Sequence, residues 1–485
     1  MRILVFFSLL LSVNGWGQDN FFKLYSGNSF DRGESVVQLA DSSYMICGSS
    51  SSWGETGQVF LAHYSKTGTY LWSNNYGGPE SEEGKKLLRN TAGEYYVAGL
   101  SNSFGEGDFD GYLLKLDANG NQLWEKTYGD AQHWEKFNSA IFTSDGGLIL
   151  IGEILAMDGG DIDWYMTKVD ADGNVVWTAT YGTSGKDIPR SIIAMNGNYL
   201  IGGEVFMMQD QVTKGMVMEI DENGNILRED VISDLAGAYG VLDLCVGNNS
   251  YYVVGYRQIS ASDMDGYMGI YQPDGTLINH FTSTSTTNSE MYDRISYNTQ
   301  SNKLALGYLV KNSGTYQDTF DVAVAYFHPT ELYWINQFVA INNEGMDKVN
   351  QILPTNDGGF ISIGSSENVG SSQFSSNGGN HVFLLKSAAD GTFPATNGVT
   401  LNQLVEIDEL GQEVNFEFYP NPANDKLFLK SELPADLQVN LYQVEGHLVD
   451  TFSVKELTDG ISVNDWKSGV YLLAVNGINV RVIKL

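Results

Sequence analysis

Acidic side chains recur in this 485-residue sequence at a spacing that could place several carboxylates around one opening. Six of them precede successive apolar runs at intervals near 52 residues or twice that: Asp31, Glu83, Glu135, Asp187, Asp293 and Asp347. A ring of carboxylates at a channel mouth would attract Ca²⁺, which prefers several oxygen ligands. The alternative is that each acid accepts hydrogen bonds within the repeat array or pairs with a base that follows it. Such bases are Arg32, Lys136, Arg294 and Lys348.

A second acidic pattern is Asp-x-Asp in Gly-rich segments. It occurs at Asp108 and Asp110, at Asp161 and Asp163, and at Asp263 and Asp265. Such a pair could bind Ca²⁺, but the rest of a twelve-residue calcium loop is missing. Asp also closes loops by accepting hydrogen bonds from nearby backbone N–H groups. Both interpretations stay open, and no organic cofactor is expected.

Known catalytic motifs are missing from the sequence. It contains no His-Glu-x-x-His, no Gly-x-Ser-x-Gly and no Gly-x-x-x-x-Gly-Lys. Its six histidines are scattered, and no Cys or His cluster has the spacing of a zinc site. We therefore assign no catalytic residue from the sequence.

The acids belong to a repeat of about fifty residues, which predicts the fold. A glycine closes an apolar run once in each unit: Gly48, Gly99, Gly152, Gly203, Gly255, Gly307 and Gly364. Each unit has four short apolar runs, and turns such as Asn119-Gly120 supply the positive φ that tight hairpins need. Four strands per unit in seven units predict an all-β, seven-bladed β-propeller over residues 19–395.

The seventh unit lacks its last strand, and the start of the chain offers a replacement. Residues 21–27 read Phe-Phe-Lys-Leu-Tyr-Ser-Gly, which is similar to the fourth run of the first unit at residues 71–77. We therefore predict that the N-terminal strand completes the last blade and closes the ring, because an unpaired edge would otherwise remain.

Three recurring motifs resemble the repeat of secreted Bacteroidota propellers. They are Asp-Gly-Gly-Phe-Ile-Ser-Ile-Gly at residues 357–364, Gly-Asp-Phe-Asp-Gly-Tyr-Leu-Leu-Lys-Leu-Asp at residues 107–117, and Trp-Glu-Lys-Thr-Tyr-Gly at residues 124–129. The resemblance spans residues 19–395 and implies the fold, but no particular function.

The C-terminal part is a separate module. Residues 396–414 are predicted to be a linker, and residues 415–485 a small β-sandwich. This module resembles the type A sorting domain of the type IX secretion system. The matching residues are Tyr419, Pro420, Asn421, Pro422, Gly446, Gly469, Tyr471 and Lys484. The resemblance implies contact with the secretion machinery, passage through the outer membrane, and release or attachment at the cell surface. The alternative is a plain carbohydrate-binding or immunoglobulin-like domain.

The N-terminus predicts export. A basic start, an apolar run over residues 3–13 and small residues after it are typical of a secretory signal peptide, which we place at residues 1–18. A buried strand is the alternative. Export implies an oxidising compartment, yet Cys47 and Cys245 lie inside separate apolar runs. Two buried thiols are favoured over a disulfide.

The charge balance narrows the partners. With 27 basic and 59 acidic residues the net charge is −32, which would repel a nucleic acid backbone. We expect a monomeric, secreted or cell-surface, non-catalytic propeller that binds a glycan or protein. The alternative is an extracellular polysaccharide-degrading enzyme, a lyase or glycosidase, on the same scaffold. Aromatic residues of loops that could stack on sugars are Trp53, Phe104, Trp134 and Phe374. The sequence does not identify the ligand.

Overall fold

The structure of the chain is a computed structural model. The structure describes residues 20–26, 29–52, 56–157, 159–209, 211–232, 238–260, 263–283, 290–311, 320–327, 329, 334–340, 347–367, 380–390, 392–393, 400–403, 417–419, 425–430, 438–443, 448–467, 469–475 and 478–484. The predicted signal peptide lies outside these residues, as do Pro420, Asn421, Pro422 and Gly446. The chain forms two compact units, Met1–Leu404 and Val405–Leu485.

The first unit is a seven-bladed β-propeller, as the repeat predicts. Strand β1 is Phe21–Ser26. The first blade consists of β2 (Asp31–Gln38), β3 (Tyr44–Ser50), β4 (Gln58–Tyr64) and β5 (Tyr70–Tyr76). The second consists of β6 (Glu82–Arg89), β7 (Tyr95–Ser101), β8 (Asp110–Leu116) and β9 (Gln122–Tyr128). The third consists of β10 (His133–Phe142), β11 (Leu148–Ala156), β12 (Ile162–Val169) and β13 (Val175–Tyr181).

The remaining blades follow the same order. The fourth consists of β14 (Ile188–Met195), β15 (Asn198–Met207), β16 (Val212–Ile220) and β17 (Ile226–Val231). The fifth consists of β18 (Ala238–Gly247), β19 (Ser250–Ser260), β20 (Asp263–Tyr271) and β21 (Leu277–Thr282). The sixth consists of β22 (Glu290–Asn298), β23 (Lys303–Lys311), β24 (Phe320–Phe327) and β25 (Trp334–Ala340). The seventh contributes β26 (Lys348–Pro354), β27 (Phe360–Glu367) and β28 (Asn380–Ser387).

Strand β1 closes the ring, as predicted. It pairs antiparallel with β28, with Phe21 opposite Lys386 and Tyr25 opposite Val382. A further strand, β29 (Thr400–Gln403), pairs parallel to the free side of β1. Four residues of the segment predicted as a linker therefore extend the last blade, because the edge of β1 offers unpaired backbone N–H and C=O groups.

The propeller core lies between adjacent blades. One apolar cluster combines Val36 and Phe60 of the first blade with Ile361 and Val382 of the seventh, and Tyr25 of β1 joins it. Each blade buries apolar side chains against both neighbouring blades, which is why the sheets need a closed ring to be stable. The two cysteines are buried free thiols, as favoured from the sequence: Cys47 in the first blade and Cys245 in the fifth.

The C-terminal unit is built from two small sheets around one core. One sheet consists of β30 (Glu417–Tyr419), β31 (Lys426–Lys430) and β34 (Ile461–Ser462). The other consists of β32 (Gln438–Gln443), β33 (Leu448–Ser453), β35 (Gly469–Val475) and β36 (Ile478–Lys484). Leu429, Leu441 and Leu473 pack in the shared core. A short helix, α1 (Val454–Asp459), begins at a capping box between Ser453 and Glu456.

Candidate functional site

The innermost strand of every blade carries a β-bulge at nearly the same position. The register shifts between Gly33 and Ser35 in the first blade and between Gly84 and Lys86 in the second. The inner strands of the third, fourth, fifth and seventh blades shift at the same place relative to the repeat glycine. In the sixth blade the shift falls one residue earlier, between Tyr292 and Arg294. A bulge interrupts the alternation of side chains, so an extra residue and its successor can both face the channel. In the second blade these two residues are Lys85 and Lys86, and both line the central cavity.

The central channel contains a cavity of about 730 Å³ that collects basic side chains. Its basic lining residues are Arg32, Lys85, Lys86, Lys136, Arg190, Arg294 and Lys348. Its acidic lining residues are Glu34, Glu153, Asp243 and Asp347. Seven bases at one place are a large share of the 27 in the chain. The channel therefore departs from the strongly acidic character of the molecule as a whole.

Some of these bases are ion-paired across or within blades. Lys85 Nζ lies 2.9 Å from Glu34 Oε1 of the preceding blade and 2.7 Å from Glu83 Oε2. Arg190 lies 2.6 Å from Glu204 Oε2. The Lys85–Glu34 pair joins the inner strands of the first two blades, whereas the Arg190–Glu204 pair lies within the fourth blade.

Two further channel bases, Lys136 and Arg294, also contact neighbouring polar groups. Lys136 Nζ lies 3.2 Å from Glu153 Oε2. The Arg294 guanidinium lies 2.9 Å from Asp293 Oδ1 and donates from Nε to the Asn350 carbonyl at 2.7 Å. The Asn350 contact joins the sixth blade to the seventh at the channel wall.

Three bases, Arg32, Lys86 and Lys348, have no ion-pair partner within 4.0 Å among the described residues. Burial lowers the pKa of Lys86, although Asp243 raises it in part. Asp293 raises the pKa of Lys348, but burial and the neighbouring Arg294 and Arg190 together lower it by more. These lysines lie in a partly desolvated environment where an added anion would be favoured.

Of the six acids predicted to ring the channel mouth, Asp347 lines the cavity, and the other five are not among its lining residues. Asp31, Glu135, Asp187 and Asp347 are all buried at the start of their blades. Asp31 accepts hydrogen bonds from Ser52 at 2.9 and 3.0 Å and from Ser50. Asp187 accepts from the backbone N–H groups of Thr183 and Phe206. Carboxylates with such partners close the loops of a blade, which supports the alternative stated for these acids.

Two of the six acids occupy other positions in the repeat. Asp31 lies two residues before Gly33, where the register of its strand shifts. Counted from the corresponding shifts, its equivalents are Glu82 in the second blade and Glu290 in the sixth. Glu82 accepts from Ser101 at 2.9 Å and from the Gly78 N–H at 2.9 Å. Glu83 instead pairs with Lys85, and Asp293 is the bulge residue itself. Glu83 lies one residue beyond the position of Glu82, and Asp293 lies three residues beyond that of Glu290, so spacing alone misplaced both.

Two of the three Asp-x-Asp pairs are split by the strand that begins there. Asp108 and Asp161 are exposed, whereas Asp110 is buried and Asp163 half-buried. Asp110 Oδ2 accepts from the Gly107 N–H at 3.3 Å. Burial raises the pKa of Asp110 and of Asp163. Asp108 and Asp161 precede β8 and β12, whereas Asp110 and Asp163 belong to those strands. The third pair is not divided in this way, because Asp263 and Asp265 both lie on β20 and are both half-buried.

Aromatic residues predicted to stack on sugars differ in exposure. Trp134 is 40% exposed and meets Phe109 edge-on at 5.9 Å between ring centroids. Phe104 stacks on the buried Tyr112 and is partly buried itself. Trp53 and Phe374 lie outside the described residues. Trp134 is thus the aromatic residue of this group that the structure places best for ligand contact.

The sorting-signal residues that the structure describes belong to the C-terminal unit. Tyr419 is 44% exposed and stacks on Phe428 at 5.6 Å. Tyr471 is buried, contacts Trp466 at 4.8 Å and donates to the Lys467 carbonyl at 3.0 Å. Gly469 begins β35 and pairs with Lys484 of β36 in the sheet register.

Sequence reasoning missed some of the residues that now stand out. Lys85, Lys86 and Arg190 are channel bases that were not singled out, because their orientation depends on the bulge. The sequence signal that could have indicated a basic channel was the base that directly follows several of the acids. Asp130 and His133 were also missed: Asp130 lies in the loop between the second and third blades, His133 begins β10, and both lie beside Glu135.

Comparison with known proteins identifies the C-terminal unit. Residues 417–484 match the secretion system C-terminal sorting domain family. No curated protein matches the chain. A solved structure of the Neurospora crassa Pan2 WD40 domain is similar at 12% identity and a TM-score of 0.43, covering 73% of this chain and 89% of that one. Among the described residues, no helix is long and apolar enough to span a bilayer.

Proposed function

We propose that this protein is a non-catalytic binding module, exported by type IX secretion, whose propeller holds an acidic oligosaccharide at its central channel. The observation that carries the proposal is the convergence of seven basic side chains on one cavity, with Arg32, Lys86 and Lys348 lacking ion-pair partners among the described residues. Anions stabilise such a cluster most where water is partly excluded.

The size and charge of the site support a ligand of this class. About 730 Å³ falls in the range of pockets that enclose small organic ligands. Because the molecule carries a net charge of −32, an anion would be repelled except where bases are concentrated. We therefore expect an anionic ligand to bind at the basic channel and not elsewhere on the acidic surface.

An aromatic platform favours a sugar over a simple inorganic anion. Trp134 and Lys136 are two residues apart on β10 and therefore share one face of that strand. Trp134 is exposed, and its ring can stack on the apolar face of a sugar. A carboxylate or sulfate on that sugar would be within the field of the channel bases.

The state of the acids favours binding over cleavage. A glycosidase needs two carboxyl groups that are available to the scissile bond. Here Glu34 and Glu83 are engaged by Lys85, and Glu204 is engaged by Arg190 and by the Tyr256 hydroxyl. Their negative charge is already used to hold neighbouring blades together.

The binding test uses the mature chain, residues 19–485, with oligogalacturonate and sulfated dextran as probes. Binding measured by titration calorimetry should weaken by about tenfold or more in Arg32→Ala and Lys348→Ala, and it should weaken with added salt. Lys455→Ala, at an exposed base of α1 in the C-terminal unit, is the matched control and should bind as the parent does. Equal binding of neutral dextran, or equal binding by all variants, would contradict the proposal.

Catalysis and export are separated by two further measurements. Reducing-end and unsaturated-product assays on any bound glycan should show no turnover, and turnover would favour a degrading enzyme instead. In a host with a type IX system, deletion of residues 417–485 should keep the propeller in the periplasm, as seen by fractionation. Secretion of that truncated chain would contradict the role proposed for the C-terminal unit.

A further inference from the structure

A second cluster lies away from the channel wall, at the junction of the second and third blades. Ligand atoms of Asp130, His133 and Glu135 all lie within 4.8 Å of one another. His133 Nδ1 lies 2.8 Å from Asp130 Oδ1. Asp110, the first residue of β8, reaches the same place: a Cβ built on Gly129 would lie 2.3 Å from Asp110 Oδ1 and 2.5 Å from Glu135 Oε2.

Glu135 is the buried member of this cluster. It is only 2% exposed, and its Oε2 has no hydrogen-bond partner among the described residues. A buried carboxylate oxygen without a donor is costly unless a cation or proton reaches it. Burial and the nearby Asp130 and Asp110 raise the pKa of Glu135 to about 7, and His133 offsets only part of this effect.

At a neighbouring blade junction, hydrogen-bond donors satisfy the buried carboxylate instead. The acid equivalent to Glu135 is Asp187 in the fourth blade, which accepts from the Thr183 and Phe206 N–H groups, and the Thr183 hydroxyl also contacts it. Asp130 follows the Tyr-Gly pair just as Thr183 does. The junction of the second and third blades therefore has a third carboxylate, that of Asp130, where the junction of the third and fourth blades has the neutral Thr183 hydroxyl.

The donor types indicate which ion would fit. Ca²⁺ and Mg²⁺ are held by oxygen ligands, whereas an imidazole nitrogen together with carboxylates suits Zn²⁺ and similar first-row divalent ions. Asp130 and His133 are partly exposed, so the cluster is open to solvent from one side.

We propose that Asp130, His133 and Glu135, with Asp110 beside them, form a site for a divalent transition metal ion such as Zn²⁺. The ion would neutralise the crowded carboxylates and join Asp110 of the second blade to Glu135 of the third. Its role would be structural, and it is independent of ligand binding at the channel. Binding to the folded chain alone would stabilise the propeller.

Metal binding by the mature chain tests this directly. The protein is stripped with a chelator, incubated with ZnCl₂, desalted, and its metal content is measured by mass spectrometry alongside the melting temperature. We expect one Zn²⁺ per chain that depends on this site and a rise in melting temperature of several degrees. His133→Asn and Glu135→Gln should each weaken the affinity by more than about tenfold and abolish the rise.

Asp163→Asn is the matched control, because Asp163 is the counterpart of Asp110 at the next junction. It should retain the metal as the parent chain does. Circular dichroism without metal checks that each variant is folded, and His133→Asn changes only a partly exposed side chain. The proposal is overturned if the parent chain retains no Zn²⁺, if His133→Asn and Glu135→Gln retain as much as the parent, or if Ca²⁺ binds there and Zn²⁺ does not.

Discussion

The Tyr25 hydroxyl donates a hydrogen bond to the Gly68 carbonyl at 2.6 Å, and this contact joins the closing strand β1 to the first blade. The same contact recurs where blades follow one another in sequence: Tyr128 donates to the Gly173 carbonyl at 2.9 Å, and Tyr76 donates to Gly120. In these three strands, the Tyr near the end of the strand therefore holds the turn of the next blade. The N-terminal strand reproduces this contact at the point of closure.

Tyr25→Phe should destabilise the propeller. The substitution removes the hydroxyl and leaves the Gly68 carbonyl without its buried donor, at a cost of about 1–3 kcal/mol. Urea unfolding followed by tryptophan fluorescence measures the change. Removal of residues 19–27 should cost more, because the whole outer edge of β28 is exposed.

Tyr419→Phe serves as the control for that substitution, since Tyr419 is an exposed residue of the C-terminal unit. It should leave the propeller transition unchanged. If the unfolding midpoints of Tyr25→Phe and the parent chain coincide, the Tyr25 hydroxyl contributes nothing to the stability of ring closure.

Gly120→Ala should destabilise the second blade through two effects. Gly120 has a φ of +82°, which an L side chain rarely adopts, and a Cβ there would lie 2.8 Å from the Trp72 ring of the preceding blade. The backbone term alone is about 1 kcal/mol. Chemical denaturation should show a larger loss than that.

Gly146→Ala separates the two effects. Gly146 has nearly the same φ, +85°, but no described atom lies within 4 Å of a Cβ built there. We expect Gly146→Ala to show the backbone term only. If both variants lose equal stability, the packing of Trp72 against the turn is unimportant.

Lys85→Ala should destabilise the ring in a pH-dependent way. Burial raises the pKa of Glu83, but Lys85 lowers it by more, so the folded pKa lies below the usual value. A depressed carboxyl pKa stabilises the fold above the unfolded pKa of about 4.3, and that contribution is lost as the pH falls. The variant should therefore lose about 1–3 kcal/mol at pH 7 and less at pH 3.5.

Unfolding of both chains over a pH series measures that difference. Lys455→Ala removes an exposed positive charge from the C-terminal unit and should change the stability of the propeller little at any pH. A loss in Lys85→Ala that is the same at pH 3.5 and pH 7 would argue for lost packing rather than a lost ion pair.

Glu135→Gln should become stabilising as the pH rises, provided a chelator keeps metal away. The folded pKa of Glu135, about 7, lies above the unfolded value of about 4.3, so the unfolded chain loses this proton first. Ionised Glu135 therefore weakens the fold as the pH rises through 7, whereas Gln stays neutral. Melting temperatures should match more closely at pH 4.5 than at pH 8.5, where the variant should melt higher.

Asp163→Asn can be measured in the same pH series for comparison, because burial also raises its pKa but His133 and Asp130 are not its neighbours. A variant effect of Glu135→Gln that does not change between pH 4.5 and pH 8.5 would mean that Glu135 does not titrate in this range.

The repeat spacing alone determined the number of blades and their closure. Gly48 and its six counterparts fall at one position of the repeat because each unit buries the same strand. The sequence of residues 21–27 matches the fourth run that the seventh unit lacks. Local signals such as Asn-Gly turns and the Trp-x-x-x-Tyr-Gly ending act over a few residues. They can therefore be recognised without knowing what packs against them.

The sites depended on information that the tertiary structure alone supplied. Glu82 rather than Glu83 is the equivalent of Asp31, because pairing across the bulge sets the face of each side chain. Lys85 and Lys86 both reach the channel for the same reason. Asp110 and Glu135 belong to different blades and meet only where those blades pack. Contacts between distant segments follow from register and ring closure, which spacing along one strand does not encode.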